Sequence, residues 1–136
     1  SINPKNDRLE QVTLKMKIFS DNILNPAGII IHYQFPLESI AISMDDRKHL
    51  YLFYKEAVNN IAKYSKAKNT WITFLLQKGE IKLVIKDDGA GFDIEHMHGG
   101  NGMNTLKERA EALNGKVQIN SSIGNGTEIK LIFKPT

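Results

Sequence analysis

Three short polar clusters carry the residue types that could do chemistry in this chain. They are Glu56 to Tyr64 (EAVNNIAKY), Asp87 to Gly91 (DDGAG) and Gly99 to Gly102 (GGNG), with a glycine turn, Gly124 to Thr127 (GNGT), behind them. On a helix, Glu56, Asn60 and Lys63 fall within about 60° of one another, beside the apolar stripe. A neutral Asn amide oxygen suits a magnesium ion that keeps several waters and is also bound by phosphate oxygens. A Lys nearby can pair with a phosphate as a point charge, and a Glu one turn earlier can orient water or take its proton. Asp87 follows an apolar run, where a carboxylate can accept a hydrogen bond from an exocyclic amine such as that of adenine. Gly89 and Gly91 permit close backbone approach. Gly99, Gly100 and Gly102 lead into a helix start, whose free amides favour an anion. Each cluster also has a plainer reading: an exposed helix flank, an Asp-Gly turn, a flexible connection. The spacing fits neither a Walker A loop nor the dinucleotide G-x-G-x-x-G, since Thr105 stands three after Gly102.

The surrounding sequence must supply the elements that position these clusters. Leu9, Val12, Met16, Phe19 and Ile23 recur at helical steps between Asp7 and Asn25, and Pro26 stops the run. Gly28 to Phe35 reads as a strand, and Leu37 to Met44 as a short edge strand or a connection. Asp45 and Asp46 supply an N-cap and first-turn charge for a helix to about Ser65, with Leu50, Phe53, Ala57 and Ile61 buried. Thr70 to Gln77 and Glu80 to Lys86 form a hairpin about Lys78-Gly79. Asp88 to Gly102 is a loop. Met103 to Leu113 is a helix closed by Asn114-Gly115, and Lys116 to Ser121 and Thr127 to Phe133 are strands. This order predicts an α+β two-layer sandwich, a mixed and mostly antiparallel sheet with about three helices on one face. Residues 1–6 are expected to be a disordered or added start and 7–136 a single domain.

Composition narrows the function classes. The chain has 136 residues, 41% of them hydrophobic, enough for one core. No segment nears the roughly 20 apolar residues of a membrane helix, and the start does not look like a signal peptide. With no cysteine there are no disulfides or thiolate metal sites, which fits a reducing compartment. The net charge of +3 comes from scattered lysines, without the dense basic tract of a nucleic-acid binder.

Taken jointly, the clusters resemble the ATP-binding domain of the gyrase, Hsp90, histidine-kinase and MutL superfamily (GHKL, the Bergerat fold). Glu56 to Tyr64 looks like its N box, Asp87-x-Gly89-x-Gly91 its G1 box, and Gly100-Asn101-Gly102 its G2 box. The nearest branch is the sensor histidine kinases that serve NarL/LuxR-type response regulators. It is marked here by Gly100 to Met103, Glu108-Arg109-Ala110, Leu113-Asn114-Gly115 and Ser121 to Thr127, a likeness spanning about residues 45 to 134.

The resemblance implies ATP and Mg2+ as cofactors, with Asn60 ligating the metal and Asp87 binding the adenine amine. Gly89 and Gly91 would shape the adenine pocket. Gly100, Gly102 and Met103 would line the phosphate side, with Phe92 to Asn101 as a lid. Thr127 would back the adenine, Lys63 would contact phosphate, and Glu56 stands where ATP-hydrolysing relatives place a base. The implied activity is transfer of the γ-phosphate to a histidine on a dimerisation domain, and from there to a response regulator. Neither nucleic acid nor direct membrane contact is expected of this domain, which would be cytoplasmic even within a membrane-anchored parent. The four histidines are followed by Tyr33, Leu50, Met97 and Gly99, so none has the acidic neighbour of a phosphoacceptor. His96 and His98 fall in the expected lid, as solvent-exposed residues or a metal pair. A stand-alone serine kinase of the anti-sigma-factor type and a non-catalytic nucleotide-sensing domain are the alternative readings.

Overall fold

The computed structural model describes residues 8–36, 38–93 and 101–136. Its elements in chain order are α1 (Leu9–Leu24), β1 (Ile30–Gln34), α2 (Met44–Asn60), a π-helical turn (Ile61–Ser65), β2 (Asn69–Gln77), β3 (Glu80–Asp87), α3 (Asn101–Ala112), β4 (Lys116–Ser121) and β5 (Thr127–Phe133). The strands form one sheet in the order β1-β2-β3-β5-β4. β1 runs parallel to β2, and the other three pairings are antiparallel. This is the expected α+β arrangement.

Alternation decides which face of the sheet meets the helices. In β3, Ile81, Leu83 and Ile85 are buried, as are Ile129, Leu131 and Phe133 of β5 and Ile72 and Phe74 of β2. Against them lie Leu50, Phe53, Tyr54, Ala57, Val58 and Ile61, with α1 and α3 packed on α2. Trp71 and Ile30 remain exposed on the sheet.

Several boundaries differ from the expectation. The N-cap of α2 is Ser43, whose Oγ accepts the Asp46 amide at 3.2 Å, while Asp45 and Asp46 sit in the first turn. Asp46 is buried and accepts the amide and hydroxyl of Thr136 at 2.8 and 2.9 Å. The helix does reach Ser65, but its last five residues widen into the π-turn, ended by Lys66 in the left-handed region (φ 52°). No strand forms over the described part of 37–44; Ala41 makes one isolated bridge to Arg8, whose guanidinium holds Ser39. The β2–β3 turn has positive φ at both Lys78 and Gly79 (51° and 78°), the twist that a two-residue hairpin needs.

One polar group crosses the core. The hydroxyl of fully buried Tyr54 donates to Ser20 Oγ at 2.8 Å. Ser20 Oγ also lies 2.5 Å from the Tyr33 hydroxyl, which donates to Asp21 Oδ1 at 2.7 Å. Helix α1, strand β1 and helix α2 thus meet at one serine. Burial is the first reason that both tyrosine hydroxyls are held well above their ordinary pKa.

Candidate functional site

Asp87 is the last residue of β3 and continues the buried phase set by Ile81, Leu83 and Ile85. The sequence thus drives a carboxylate onto the helix-covered face at the sheet end, only 3% exposed. Its Oδ1 accepts the Gly89 amide at 2.8 Å. Burial raises its pKa; the Gly89 amide opposes the rise, the charge of Asp88 adds to it, and the Thr127 backbone opposes it again. An approaching N–H donor would offset the same desolvation.

Thr127 pairs with Asp87 across β3–β5 and with Ser121 across β4–β5. Ser121 Oγ accepts the Phe92 amide at 2.9 Å, donates to the Gly126 carbonyl at 3.0 Å and lies 2.9 Å from Thr127 Oγ1. Because the serine proton goes to Gly126, Thr127 supplies the proton between the two hydroxyls. Ser121 therefore fixes the exit of the 88–93 loop to the strand that carries Thr127. Sequence reasoning placed Ser121 only at the start of a motif, and missed this role.

Gly89 and Gly91 were expected to make room for a ligand. In the structure the room is taken by protein. A Cβ on Gly89 would lie 2.1 Å from the Ser65 carbonyl oxygen, and one on Gly91 (φ +65°) 2.1 Å from that of Ser122. The two glycines let the loop touch the end of the α2 extension on one side and the β4–β5 turn on the other. Asp88 faces the other way: Oδ1 accepts the amides of Lys68 and Asn69 and Oδ2 the Asn69 side chain, at 2.9, 2.9 and 3.0 Å. These bonds hold its carboxyl below the usual carboxylate range, the Asn69 side chain first. The sequence reading gave Asp88 no role.

Glu56 and Asn60 lie half-buried on α2, the helix against which α3 packs. Lys63 is exposed and falls within the π-turn, where straight-helix angles no longer apply. Among the described residues no group of three or more His, Asp or Glu could hold a metal ion on protein ligands alone. Met103 is half-buried in the first turn of α3, which includes Gly102. Gly99, Gly100, His96, His98 and the lid from 94 to 100 lie outside the described residues, as do residues 1–6.

The stretch that carries both the buried strand-end carboxylate and the half-buried helical Asn matches a known family. The "Histidine kinase-, DNA gyrase B-, and HSP90-like ATPase" family covers residues 45–136, and the chain belongs to it. Its relatives are sensor histidine kinases. "Sensor histidine kinase YdfH" of Bacillus subtilis is 31% identical over 124 residues, 87% of this chain and 30% of that protein. "Signal transduction histidine-protein kinase/phosphatase UhpB" of Salmonella typhimurium is 29% identical over 127 residues, 91% of this chain and 25% of its own length. The chain thus spans less than a third of either relative. Among solved structures, the histidine kinase domain of the Erythrobacter litoralis EL346 blue-light activated kinase superposes with a TM-score of 0.77 at 12% identity, covering 91% of this chain and 61% of that one. At that identity the likeness is one of fold.

Proposed function

We propose that residues 7–136 act as a single catalytic unit of a sensor histidine kinase, binding Mg-ATP and delivering the γ-phosphoryl group to a histidine outside this chain. The observation that carries this reading is Asp87: a buried carboxylate at a strand end, held by backbone donors and raised in pKa by burial. Such a group gains by accepting the exocyclic amine of adenine. Thr127, its register partner, backs the same site. Gly89 and Gly91 shape the loop around it.

The donor set fits a magnesium ion of modest protein coordination. Asn60 offers one neutral oxygen, and the described residues hold no acidic cluster, so the other ligands would be phosphate oxygens and water. The bound ion would neutralise charge on the triphosphate. Lys63 and the start of α3, with Gly100, Gly102 and Met103, would lie along the phosphates. In the transfer the acceptor imidazole nitrogen bonds to the γ-phosphorus, the bond to the β–γ bridging oxygen breaks, and ADP leaves with that electron pair. Glu56, one turn before Asn60, would take a proton from an imidazole or a water. This chain's residues act by positioning and charge neutralisation, as phosphoryl transfer requires. A response regulator would receive the phosphoryl group afterwards. No helix among the described residues is long and apolar enough to cross a membrane; we place the unit on the cytoplasmic side of its parent.

Calorimetric titration tests the reading. ATP with magnesium should bind saturably, and Asn60→Ala should remove the gain from magnesium while leaving some metal-free ATP binding. Absence of saturable ATP binding by the wild-type chain would sink it.

A further inference from the structure

We infer that Ser65 is a positioning residue for nucleotide binding: it fixes the loop after Asp87 to the helix that carries Asn60. The inference rests on the ATP reading above and goes beyond it, because no motif of that reading includes Ser65.

The chain of contacts is short. Asn60 ends the regular part of α2, and the next five residues, ending at Ser65, form the π-turn. A π-turn is a wide, rare form of helix, often found at functional sites. It needs local support, and the Ser65 side chain supplies it. Its Oγ donates to the Ile61 carbonyl at 2.7 Å and accepts the Ala67 amide at 3.0 Å, across left-handed Lys66. The hydroxyl therefore pins both sides of its own peptide group. The carbonyl so aimed accepts the Ala90 amide at 2.6 Å. It also occupies the space that a Cβ on Gly89 would need, 2.1 Å away. Gly89 in turn donates its amide to Asp87 Oδ1. Thus one peptide carbonyl, five residues after Asn60, sets where the Asp87 loop lies. Ser65 is 8% exposed, so water cannot readily replace its bonds.

A nucleotide bound through both ends would feel this distance. Its base would depend on Asp87 and its metal-bound phosphates on Asn60, so the link decides whether both are engaged at once. Loosening it should weaken the joint engagement more than either half. Two measurements on the chain as it stands test this. The first is amide hydrogen exchange at Ala90, followed by NMR without nucleotide. Ser65→Ala should speed exchange at Ala90 about tenfold, while the Ile72 and Leu83 amides keep their wild-type rates. The second is the ratio of ATP dissociation constants without and with magnesium, by calorimetry. Ser65→Ala should shrink that ratio by about tenfold. Ser65→Thr, which retains the hydroxyl, should hold both readouts near wild type. Unchanged Ala90 exchange in Ser65→Ala would overturn the link. Faster exchange with an unchanged magnesium ratio would show a structural bond with no positioning role. If the wild-type chain bound no ATP, the proposed function would fail, and the positioning role with it; the exchange data would still show whether the bond exists.

Discussion

Asp87 is the residue at which stability and ligand binding pull in opposite directions. Its raised pKa means that the folded chain holds that proton more tightly than the unfolded chain does. The stabilisation is complete below the ordinary carboxylate value of 3.8 and is lost as pH rises through the raised native value. Burial disfavours the ionised form of this carboxylate, and an N–H donor from a ligand would offset that desolvation. We predict that Asp87→Asn weakens ATP by about 10- to 100-fold in calorimetry. In urea unfolding, the wild type should gain stability relative to Asp87→Asn as pH falls from 7 toward 4; a gain in the opposite direction would contradict the assignment. Gly89 gives a second prediction at this scale. Its missing Cβ is required by the Ser65 carbonyl, so Gly89→Ala should destabilise by about 1–3 kcal/mol, read from the urea midpoint. The sequence exposed both residues, since an apolar run ending in Asp-x-Gly is visible in one dimension. It could not show that the glycine makes room for protein, because the partner lies 24 positions earlier (89 against 65) in another element.

Helix α2 and its π-turn show where periodicity stops being a guide. The apolar spacing correctly placed Leu50, Phe53, Ala57 and Ile61 inside. It also placed Glu56 and Asn60 at the rim, where they are half-buried. A fixed 3.6-residue step cannot register a π-turn, which is held by a serine hydroxyl and a loop amide and not by any hydrophobic pattern. Lys63 is exposed within that turn, so the straight-helix angle that groups it with Glu56 and Asn60 does not carry over to it. The cap was misplaced by two residues because Ser43 outranks Asp45 on geometry: its side chain reaches the Asp46 amide. Ser43→Ala should cost about 1 kcal/mol, measured by chemical denaturation, and the acidic first turn should lessen that loss at low salt.

For the molecule as a whole, the strand-helix order and the hairpin turns disclosed the layers, and the order of strands followed only from pairing. Parallel β1 beside β2 and β5 between β3 and β4 are long-range facts with no local signature. The Ser20–Tyr33–Tyr54 junction is equally non-local. Ser20→Ala leaves the Tyr54 hydroxyl buried without that partner and should cost about 1–3 kcal/mol, more than Tyr54→Phe at about 1 kcal/mol. The double variant should cost less than the sum, as a denaturation cycle would show. The strand order also bears on how the chain acquires its site. The β2–β3 hairpin closes through two residues and β4–β5 through a short turn, so each can form early and locally. Asp87 and Thr127 meet only when β3 and β5 join across forty positions (127 against 87). The pair proposed to hold adenine is thus absent from either hairpin alone and arrives with the slow, non-local step. During refolding, recovery of nucleotide binding should lag hairpin formation, which makes the ligand a reporter of completed assembly.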